Sequence, residues 1–362
     1  MSVHLVLADT DRLYIEKLAA WLHKHMPYQF SIEILTHPES FQAWAESGGQ
    51  ADMAVISLDL ARQVLSCLPQ TGILILDDGS HEPISLDVPR VDKYRPAEEL
   101  AKDILTLCAD RMPGMHAREK HRQNITLVVY LDGADALNPV APAVARLFGS
   151  RGRKTLYISL EQAQTTQLYF NGTGTRGLNE MLYYLKSNRD NLFMRLESCL
   201  TRDLASGVHF LAAPCGLVTP ETVEWSDMDN LLSATDREGD FEEIVLATET
   251  GMFVLIPGLM ERAARVWTVA LNTAASSVKM QRFLQALEKG EVDLDRLKAK
   301  LRLLLIDVCR LDGFSGQFPD IPKCRLEPHP AEPGAAYWVP HENDFSAIAA
   351  LLDQEDKGSC HE

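Results

Sequence analysis

The sequence lacks the features that mark secreted, membrane-spanning and zinc-binding proteins. Its seven cysteines are an odd number and include no C-x-x-C pair, which argues against a disulfide framework or a zinc site. No apolar run reaches the roughly 18 residues that a membrane helix needs, and the N-terminus MSVHLVLADTD enters a predicted strand at once, which leaves no room for a signal peptide. We therefore expect a cytoplasmic protein with reduced thiols, no bound metal and no membrane-inserted segment.

Positive charge is also scarce. The 362 residues contain 35 Lys and Arg against 51 Asp and Glu, a formal net charge of -16. A general nucleic-acid or anionic-membrane surface needs a basic patch that displaces counterions, so the balance predicts neither partner. A hydrophobic fraction of 46% is ordinary for globular domains, and the length fits two or three of them.

The first 111 residues alternate between apolar strands and helices. The strands are VHLVLAD, FSIEILT, ADMAVISLD and TGILILDD, and the last helix ends in KDILTLCADR. Alternation of this kind predicts an α/β domain with a doubly wound parallel sheet. It resembles the flavodoxin-like fold of response-regulator receivers. The polar stretch MPGMHAREKHRQN, residues 112–124, predicts a linker.

The resemblance to receivers implies a phosphorylation site whose residues are largely replaced. Its positions are taken by Asp9, Thr10 and Asp11 after the first strand, Ser57 in place of the phosphoacceptor, Asp59 two residues later, Asp77 in place of a Thr and Arg95 in place of a Lys. Aspartyl phosphorylation needs a carboxylate nucleophile and a bound cation. We expect a receiver fold without ordinary phosphoacceptance.

The second domain opens on VVYLDGADALNPVAPAVARLF, followed shortly by RGRKTLYISLEQ. An apolar strand, a Gly-containing turn, an Ala-rich helix and a second strand are typical of a phosphate-binding βαβ unit. This segment resembles the MinD/ParA group of ATPases, whose loop reads K-G-G-x-G-K-T. The resemblance implies a P-loop NTPase fold over residues 125–352, with 353–362 as a C-terminal tail.

The residues that would bind nucleotide are missing from this frame. On the MinD/ParA pattern Asp132 stands at the first Lys, Gly133 is kept, Ala134 and Ala136 replace glycines, Leu137 stands at the phosphate-binding Lys and Asn138 at the Mg²⁺-binding hydroxyl. Ser159 takes the first acidic position of the second strand, Glu161 keeps the second, and Ala247 replaces the Walker B Asp. Carboxylates repel phosphates, so we expect a degenerate loop with no catalytic residue and no nucleotide cofactor.

The rest of the domain shows further elements. Apolar residues at helical spacing predict helices around 181–185 and 192–200, and Thr219 with Pro220 predicts the start of another helix. FEEIVLAT, VWTVALN and LRLLLIDV are continuous apolar runs, as expected of strands covered on both faces. DFSAIAALLDQ predicts an amphipathic helix that packs on its own domain.

The whole chain resembles the TadZ/CpaE family of pilus-assembly localisation proteins, in which an atypical receiver precedes a MinD/ParA-like domain. The segments GRKTLYISLEQ, TTQLYF, LYYLKSNRDNLFMRLESCL and FEEIV carry the resemblance, which extends from about Val3 to about Leu352. It implies a homodimeric scaffold that collects at a cell pole or assembly focus and recruits the secretion machinery of a tight-adherence (Flp type IV) pilus.

Two alternatives stay open at the level of sequence. The chain could be an active ATPase that uses unmatched cations, for which Arg176, Arg262 and Arg265 are candidates. It could instead be a receiver-type signalling module phosphorylated through Asp9, Asp11 or Asp59. The role of the Pro-rich segment 318–340 is open in either case.

Overall fold

The structure is a computed structural model, and it describes residues 3–26, 29–64, 68, 72–79, 88–111, 123–172, 174, 176–187, 191–238, 241–290, 292–308, 312–328 and 342–359. The chain divides into two compact units, Met1–Arg118 with Asn188–Cys199, and Glu119–Ser187 with Leu200–Glu362. Residues 112–122 of the predicted linker lie outside the described ranges.

The first unit contains a parallel sheet of five strands in the order β2-β1-β3-β4-β5. Its elements up to residue 111 are β1 Val3–Ala8, α1 Arg12–His25, β2 Phe30–Leu35, α2 Pro38–Glu46, β3 Met53–Ser57, α3 Leu58–Gln63, β4 Gly72–Asp77, β5 Arg90–Asp92 and α4 Ala97–Arg111. The order 2-1-3-4-5 is that of flavodoxin-like doubly wound sheets. The predicted parallel α/β sheet is therefore confirmed for this unit.

Both faces of this sheet are covered, which explains the unbroken apolar runs in its strands. Leu5 and Leu7 of β1 pack in one core with Ile15 of α1. Val6 and Ala8 of the same strand pack in a second core on the opposite face. Successive side chains of a strand point to opposite faces, so a strand between two cores is apolar at every position.

The second unit contains a sheet of eight strands in the order β13-β12-β11-β6-β10-β7-β9-β8. Its elements are β6 Asn124–Tyr130, α5 Val140–Ser150, β7 Thr155–Ser159, α6 Leu178–Lys186, β8 Leu200–Arg202, β9 His209–Leu211, α8 Trp225–Glu238, β10 Glu243–Glu249, α9 Ile256–Arg262, β11 Arg265–Leu271, α10 Ala274–Lys289, α11 Leu294–Lys300, β12 Leu301–Ile306, β13 Lys323–Leu326 and α12 Glu342–Ser359. The first strand of the unit, β6, lies in the middle between β10 and β11.

Two expectations about the second unit were wrong in detail. The sheet is not parallel throughout, because the edge strand β8 runs antiparallel to β9. The helix expected from Thr219 begins instead at Trp225. Thr219 and Thr222 form a turn in which the Thr222 hydroxyl donates to the Thr219 carbonyl at 2.8 Å, while Asp227 accepts the Glu224 N–H at 3.0 Å just before the helix.

Helix α7, Leu192–Cys199, belongs to the first unit although its sequence position lies between α6 and β8. Met194 is buried in the core that contains α1 and α4. Asn191 donates to the Ala109 carbonyl at 2.9 Å, and Arg195 pairs with Asp110 at 2.7 Å. Both contacts reach the last turn of α4: Asn191 binds a carbonyl that lacks a partner within the helix, and Arg195 binds a side-chain carboxylate. The first unit is thus built from two separate stretches of the chain.

The C-terminal helix α12 packs on the second unit, as predicted. Ile348 and Leu352 are fully buried in the same core as Val144 of α5 and Leu326 of β13. The helix continues beyond Leu352 to Ser359. Across the described ranges, no helix has both the length and the hydropathy needed to cross a membrane.

Candidate functional site

The turn after β6 has the strand, turn and helix order expected of a phosphate-binding loop. Asp132 and Gly133 leave the strand, residues Ala134–Ala136 form a single 3₁₀ turn, and α5 begins at Val140. Gly133 adopts a φ of 73°, a left-handed conformation that favours glycine. Two further positions that hold glycine in a phosphate loop of the MinD/ParA pattern hold Ala134 and Ala136 here.

The N–H groups of this turn are directed at its own carbonyls. Ala136 donates to Gly133 at 3.3 Å, and both Leu137 and Asn138 donate to the Ala134 carbonyl, at 3.1 and 2.9 Å. A phosphate loop instead needs such N–H groups free to converge on an anion. Three donors are consumed within the turn.

The N-terminus of α5 is closed in the same way. Val140 donates to the Asn138 carbonyl at 2.9 Å and Ala143 to the Pro139 carbonyl at 3.2 Å. Ala141 donates to the hydroxyl of Tyr130, at the end of β6, at 3.0 Å. Pro142 has no N–H. The first N–H groups of a helix usually lack partners and so attract anions, but at these four positions none is free.

Two of the replaced positions serve as structural links. The Asp132 carboxylate accepts the Leu271 N–H at 3.2 Å and the Ser276 hydroxyl, which ties the turn to β11 and α10. Asn138 is buried and donates to the Glu327 carbonyl at 2.9 Å. Leu137 is partly buried against the core of the unit. These three side chains are therefore bonded or packed within the unit.

Strand register brings Ser159 and Ala247 beside the turn. Ala247 of β10 is paired with Val128 of β6 on one side and with Ser159 of β7 on the other. Ala247 is completely buried, and its methyl group cannot ligate a metal. The Ser159 hydroxyl donates to Glu161 at 2.7 Å. Among the described residues, no cluster of His, Cys, Asp and Glu could hold a metal ion.

Glu161 is the most perturbed carboxyl group of this region. It is 8% exposed, and burial raises its pKa to about 7, with the hydrogen bond from Ser159 opposing the shift and the charges of Asp135 and Glu249 adding to it. Burial also raises the pKa of Asp135. Within the described part of the chain, no Lys or Arg pairs with Glu161. Among these described residues, no cation therefore offsets the burial of this carboxyl group.

In the first unit, the carboxyl ends of the strands bring together Asp9, Ser57 and Asp77. Ala8 of β1 is paired with Ile56, and Ser57 with Leu76, so the residues that follow lie side by side. Ser57 is 4% exposed, and its hydroxyl has no hydrogen-bond partner in the described structure. Asp77 accepts the Gly79 N–H at 2.9 Å.

The cation of this site is Lys93, which the sequence analysis missed. Lys93 follows β5 and pairs with the buried Asp9 at 2.7 Å, with Asp11 at 3.9 Å. The Tyr14 hydroxyl donates to the Lys93 carbonyl at 2.5 Å. The pKa of Tyr14 is raised to about 12, mainly by burial and to a smaller extent by the negative charge of Asp9. The sequence did contain a signal for this cation, because Lys93 is the first basic residue after β5, the last strand of the sheet.

Two residues expected at this site lie elsewhere. Arg95 lies just before α4 and pairs with two acidic residues of that helix, Asp103 at 2.7 Å and Glu99 at 3.6 Å. Asp59 is exposed in the first turn of α3. The first unit therefore presents a self-paired Asp9 and Lys93 with a buried serine beside them.

Comparison with solved structures finds ATPases of the ParA and MinD type. A ParA family ATPase from Chlorobium tepidum is 12% identical, with 64% of this chain and 91% of that chain covered and a TM-score of 0.46. A putative plasmid partition protein from Borrelia burgdorferi bound to AMPPNP is 11% identical, with 65% and 100% covered and a TM-score of 0.46. The MinC:MinD cell division complex of Aquifex aeolicus is 13% identical, with 51% and 69% covered and a TM-score of 0.38.

No protein-family model matches the chain, and no curated protein matches it in sequence. The three TM-scores lie below 0.5, so the site is interpreted from its own geometry.

Proposed function

We propose that the chain is a non-catalytic scaffold whose second unit is a MinD/ParA-like P-loop domain that has lost nucleotide binding. The observation that carries this proposal is the hydrogen bonding of the turn and of α5. Ala136, Leu137, Asn138, Val140 and Ala141 all donate their N–H groups to partners within the unit. A bound phosphate would have to break several of these bonds, each of which contributes about 1 kcal/mol.

Electrostatics supports the same conclusion. Asp135 lies in the turn itself, and Asp135 and Glu249 both raise the pKa of the buried Glu161. A polyanion brought here would meet carboxylates in a region of low dielectric constant, where like charges repel strongly. The MinD/ParA pattern has a Lys at two positions of this turn, and these could offset the carboxylates. In this chain the two positions hold Asp132 and Leu137.

Thermal unfolding with and without MgATP tests this proposal. A ligand at about 100 times its dissociation constant adds about 2.7 kcal/mol to the free energy of unfolding. We expect no change in melting temperature at millimolar MgATP and no phosphate release. A saturable upward shift would show that the chain binds nucleotide and would favour the ATPase alternative.

We further propose that the first domain ends near residue 111 and that the second begins near residue 125. The first unit is receiver-like and is not phosphorylated. In support, Lys93 neutralises Asp9 at 2.7 Å, and a buried ion pair is costly to separate. Incubation with acetyl phosphate should leave the protein unlabelled. Labelling that is lost in an Asp59→Asn variant would favour the signalling alternative.

We propose that the scaffold is a homodimer that collects at a cell pole or assembly focus and recruits pilus secretion machinery, as in TadZ/CpaE proteins. Without nucleotide, such a dimer must be held by constitutive protein contacts. Sedimentation in the absence of nucleotide should detect a dimer. A monomer that dimerises only after ATP is added would contradict both the dimer and the loss of nucleotide binding.

A further inference from the structure

Three large aliphatic side chains are exposed on loops of the second unit. Leu168, Leu217 and Val254 are 51%, 67% and 56% exposed. They follow β7, β9 and β10 in turn, and these strands are parallel neighbours. The carboxyl ends of parallel strands lie at one edge of the sheet, so all three side chains belong to the same edge.

Hydrogen bonds join these loops at Gln162. The Gln162 N–H donates to the Glu249 carboxylate at 2.7 Å, and the Val218 N–H donates to the Gln162 carbonyl at 2.9 Å. A Cβ on Gly251 would lie 2.8 Å from the Gln162 side chain, so the loop after β10 is also in close contact. Leu217 is the chain neighbour of Val218, and Glu249 accepts from Gln162, so an apolar and an acidic residue meet at this junction.

Acidic residues outnumber basic residues in the loops at this edge. Residues 131–139, 160–177, 212–224 and 249–255 contain one basic residue, Arg176, and the acidic residues Asp132, Asp135, Glu161, Glu221, Glu224 and Glu249. Glu221 is exposed in the loop of Leu217, and Asp135 and Glu249 are half-buried. We call the surface formed by Leu168, Leu217 and Val254 with Asp135, Glu221 and Glu249 the acidic apolar edge.

We propose that the acidic apolar edge is a docking surface for a basic amphipathic segment of a partner protein. Exposed aliphatic side chains grouped on one surface mark an interaction site, and the charge selects the partner. A second copy placed about a twofold axis would bring carboxylates against carboxylates. A nucleic acid or an anionic membrane would be repelled for the same reason. A segment with Lys or Arg beside apolar residues satisfies both the carboxylates and the aliphatic groups.

This inference rests on the proposed function, because a nucleotide bound at the turn would occupy the same edge. It adds the chemistry of the partner: the scaffold recruits its machinery through a positively charged, partly apolar stretch. Such a stretch binds in a groove or on a face through apolar residues at helical spacing, with the charges at the rim.

Fluorescence anisotropy on the full-length protein tests the proposal with a synthetic probe. The probe is a labelled peptide of about 15 residues, long enough to form a helix on a surface, made of Leu at helical spacing and Lys elsewhere. A matched peptide has Glu in place of Lys. We expect saturable binding of the Lys peptide and none of the Glu peptide.

Variants at the edge give the sharper test. Leu217→Ser and Val254→Ser should each weaken binding of the Lys peptide by roughly tenfold, the factor expected when one aliphatic side chain no longer becomes buried. Glu221→Lys, an exposed acid in the loop of Leu217, should weaken it as well. Leu204→Ser is the matched control, because Leu204 is 83% exposed in the turn between β8 and β9 of the same unit. Its affinity should equal that of the wild type.

Three results would overturn the proposal. The first is equal binding of the Glu peptide, and the second is equal weakening by Leu204→Ser. The third is conversion of a dimer to a monomer by Leu217→Ser or Val254→Ser, which would make a second copy the occupant.

Titration with MgATP distinguishes failure of the docking proposal from failure of the proposed function. If neither MgATP nor the Lys peptide binds, only the docking surface is wrong; if MgATP binds, the proposed loss of nucleotide binding is wrong.

Discussion

Tyr130 and Lys93 each use a polar group that a ligand site would need. The Tyr130 hydroxyl accepts the Ala141 N–H at 3.0 Å at the start of α5. The Lys93 ammonium pairs with Asp9 at 2.7 Å at the edge of the first unit. In each unit, a polar group that could contact a ligand is bonded to another residue of the same unit.

Glu161 predicts a pH-dependent stability. The pKa of Glu161 is raised from the ordinary value of 4.5 for a Glu side chain to about 7 in the folded protein, so the folded state holds the proton more tightly than the unfolded state. The contribution of Glu161 to the free energy of unfolding is therefore constant below pH 4.5 and falls as the pH rises from 4.5 to 7. Above pH 7 the loss reaches about 3 kcal/mol, because one pKa unit corresponds to about 1.4 kcal/mol. Glu161→Gln should remove this fall.

Urea unfolding of wild type and Glu161→Gln between pH 4.5 and pH 8 measures the difference. The variant should gain stability relative to the wild type as pH increases. Leu204→Ser, which changes no titratable group, is the control and should show a constant difference. A Glu161→Gln difference that is also constant with pH would contradict the assignment of a raised pKa.

Lys93 predicts a stability defect in the first unit. In Lys93→Met the buried Asp9 loses its cation, and removal of one partner of a buried ion pair costs about 3 to 5 kcal/mol. The double variant Asp9→Asn with Lys93→Met removes both charges and should lose less. Amide exchange in β1 measures both. Equal losses in the single and double variants would mean that the ion pair is not what Lys93 contributes.

At the scale of elements, the start of α5 decides what the second unit can bind. Pro142 and the Tyr130 hydroxyl close the helix N-terminus, and the 3₁₀ turn Ala134–Ala136 consumes the N–H groups before it. Because these N–H groups are bonded within the unit, we expect that restoring one side chain will not create an anion site.

Leu137→Lys tests this reasoning. The substitution supplies the cation that the MinD/ParA pattern has at this position, yet the N–H groups stay bonded within the turn. We expect no binding of MgATP by isothermal titration and no change in melting temperature on adding it. Leu137→Gln controls for the loss of the apolar side chain. Binding gained by the Lys variant alone would mean that charge, and not backbone geometry, limits nucleotide binding.

At the scale of the whole molecule, the net charge of -16 limits the choice of partner. Non-specific DNA binding depends on Lys and Arg that displace counterions from the phosphates. We expect no change in the anisotropy of a labelled duplex DNA at low salt, where such binding is strongest. Binding that weakens steeply as salt is added would reveal a basic patch and would contradict this prediction.

The sequence alone determined the elements that burial dictates. β10, β11 and β12 are apolar at nearly every position because helices cover both faces of their sheet, so they could be located without knowledge of their neighbours. That Leu137 and Ala247 stand where the MinD/ParA pattern has a Lys and an Asp is likewise a prediction from residue type within one pattern.

The tertiary structure decided what depends on residues far apart in the sequence. It placed Lys93, and not Arg95, beside Asp9, and it packed α7 on α4 through Asn191. It turned β8 antiparallel and anchored Asn138 to the carbonyl of Glu327, 189 residues away. Hydrogen bonds and ion pairs between such distant groups depend on how the chain packs, and local periodicity carries no information about them; that packing determined which polar groups at the two edges are left for a partner.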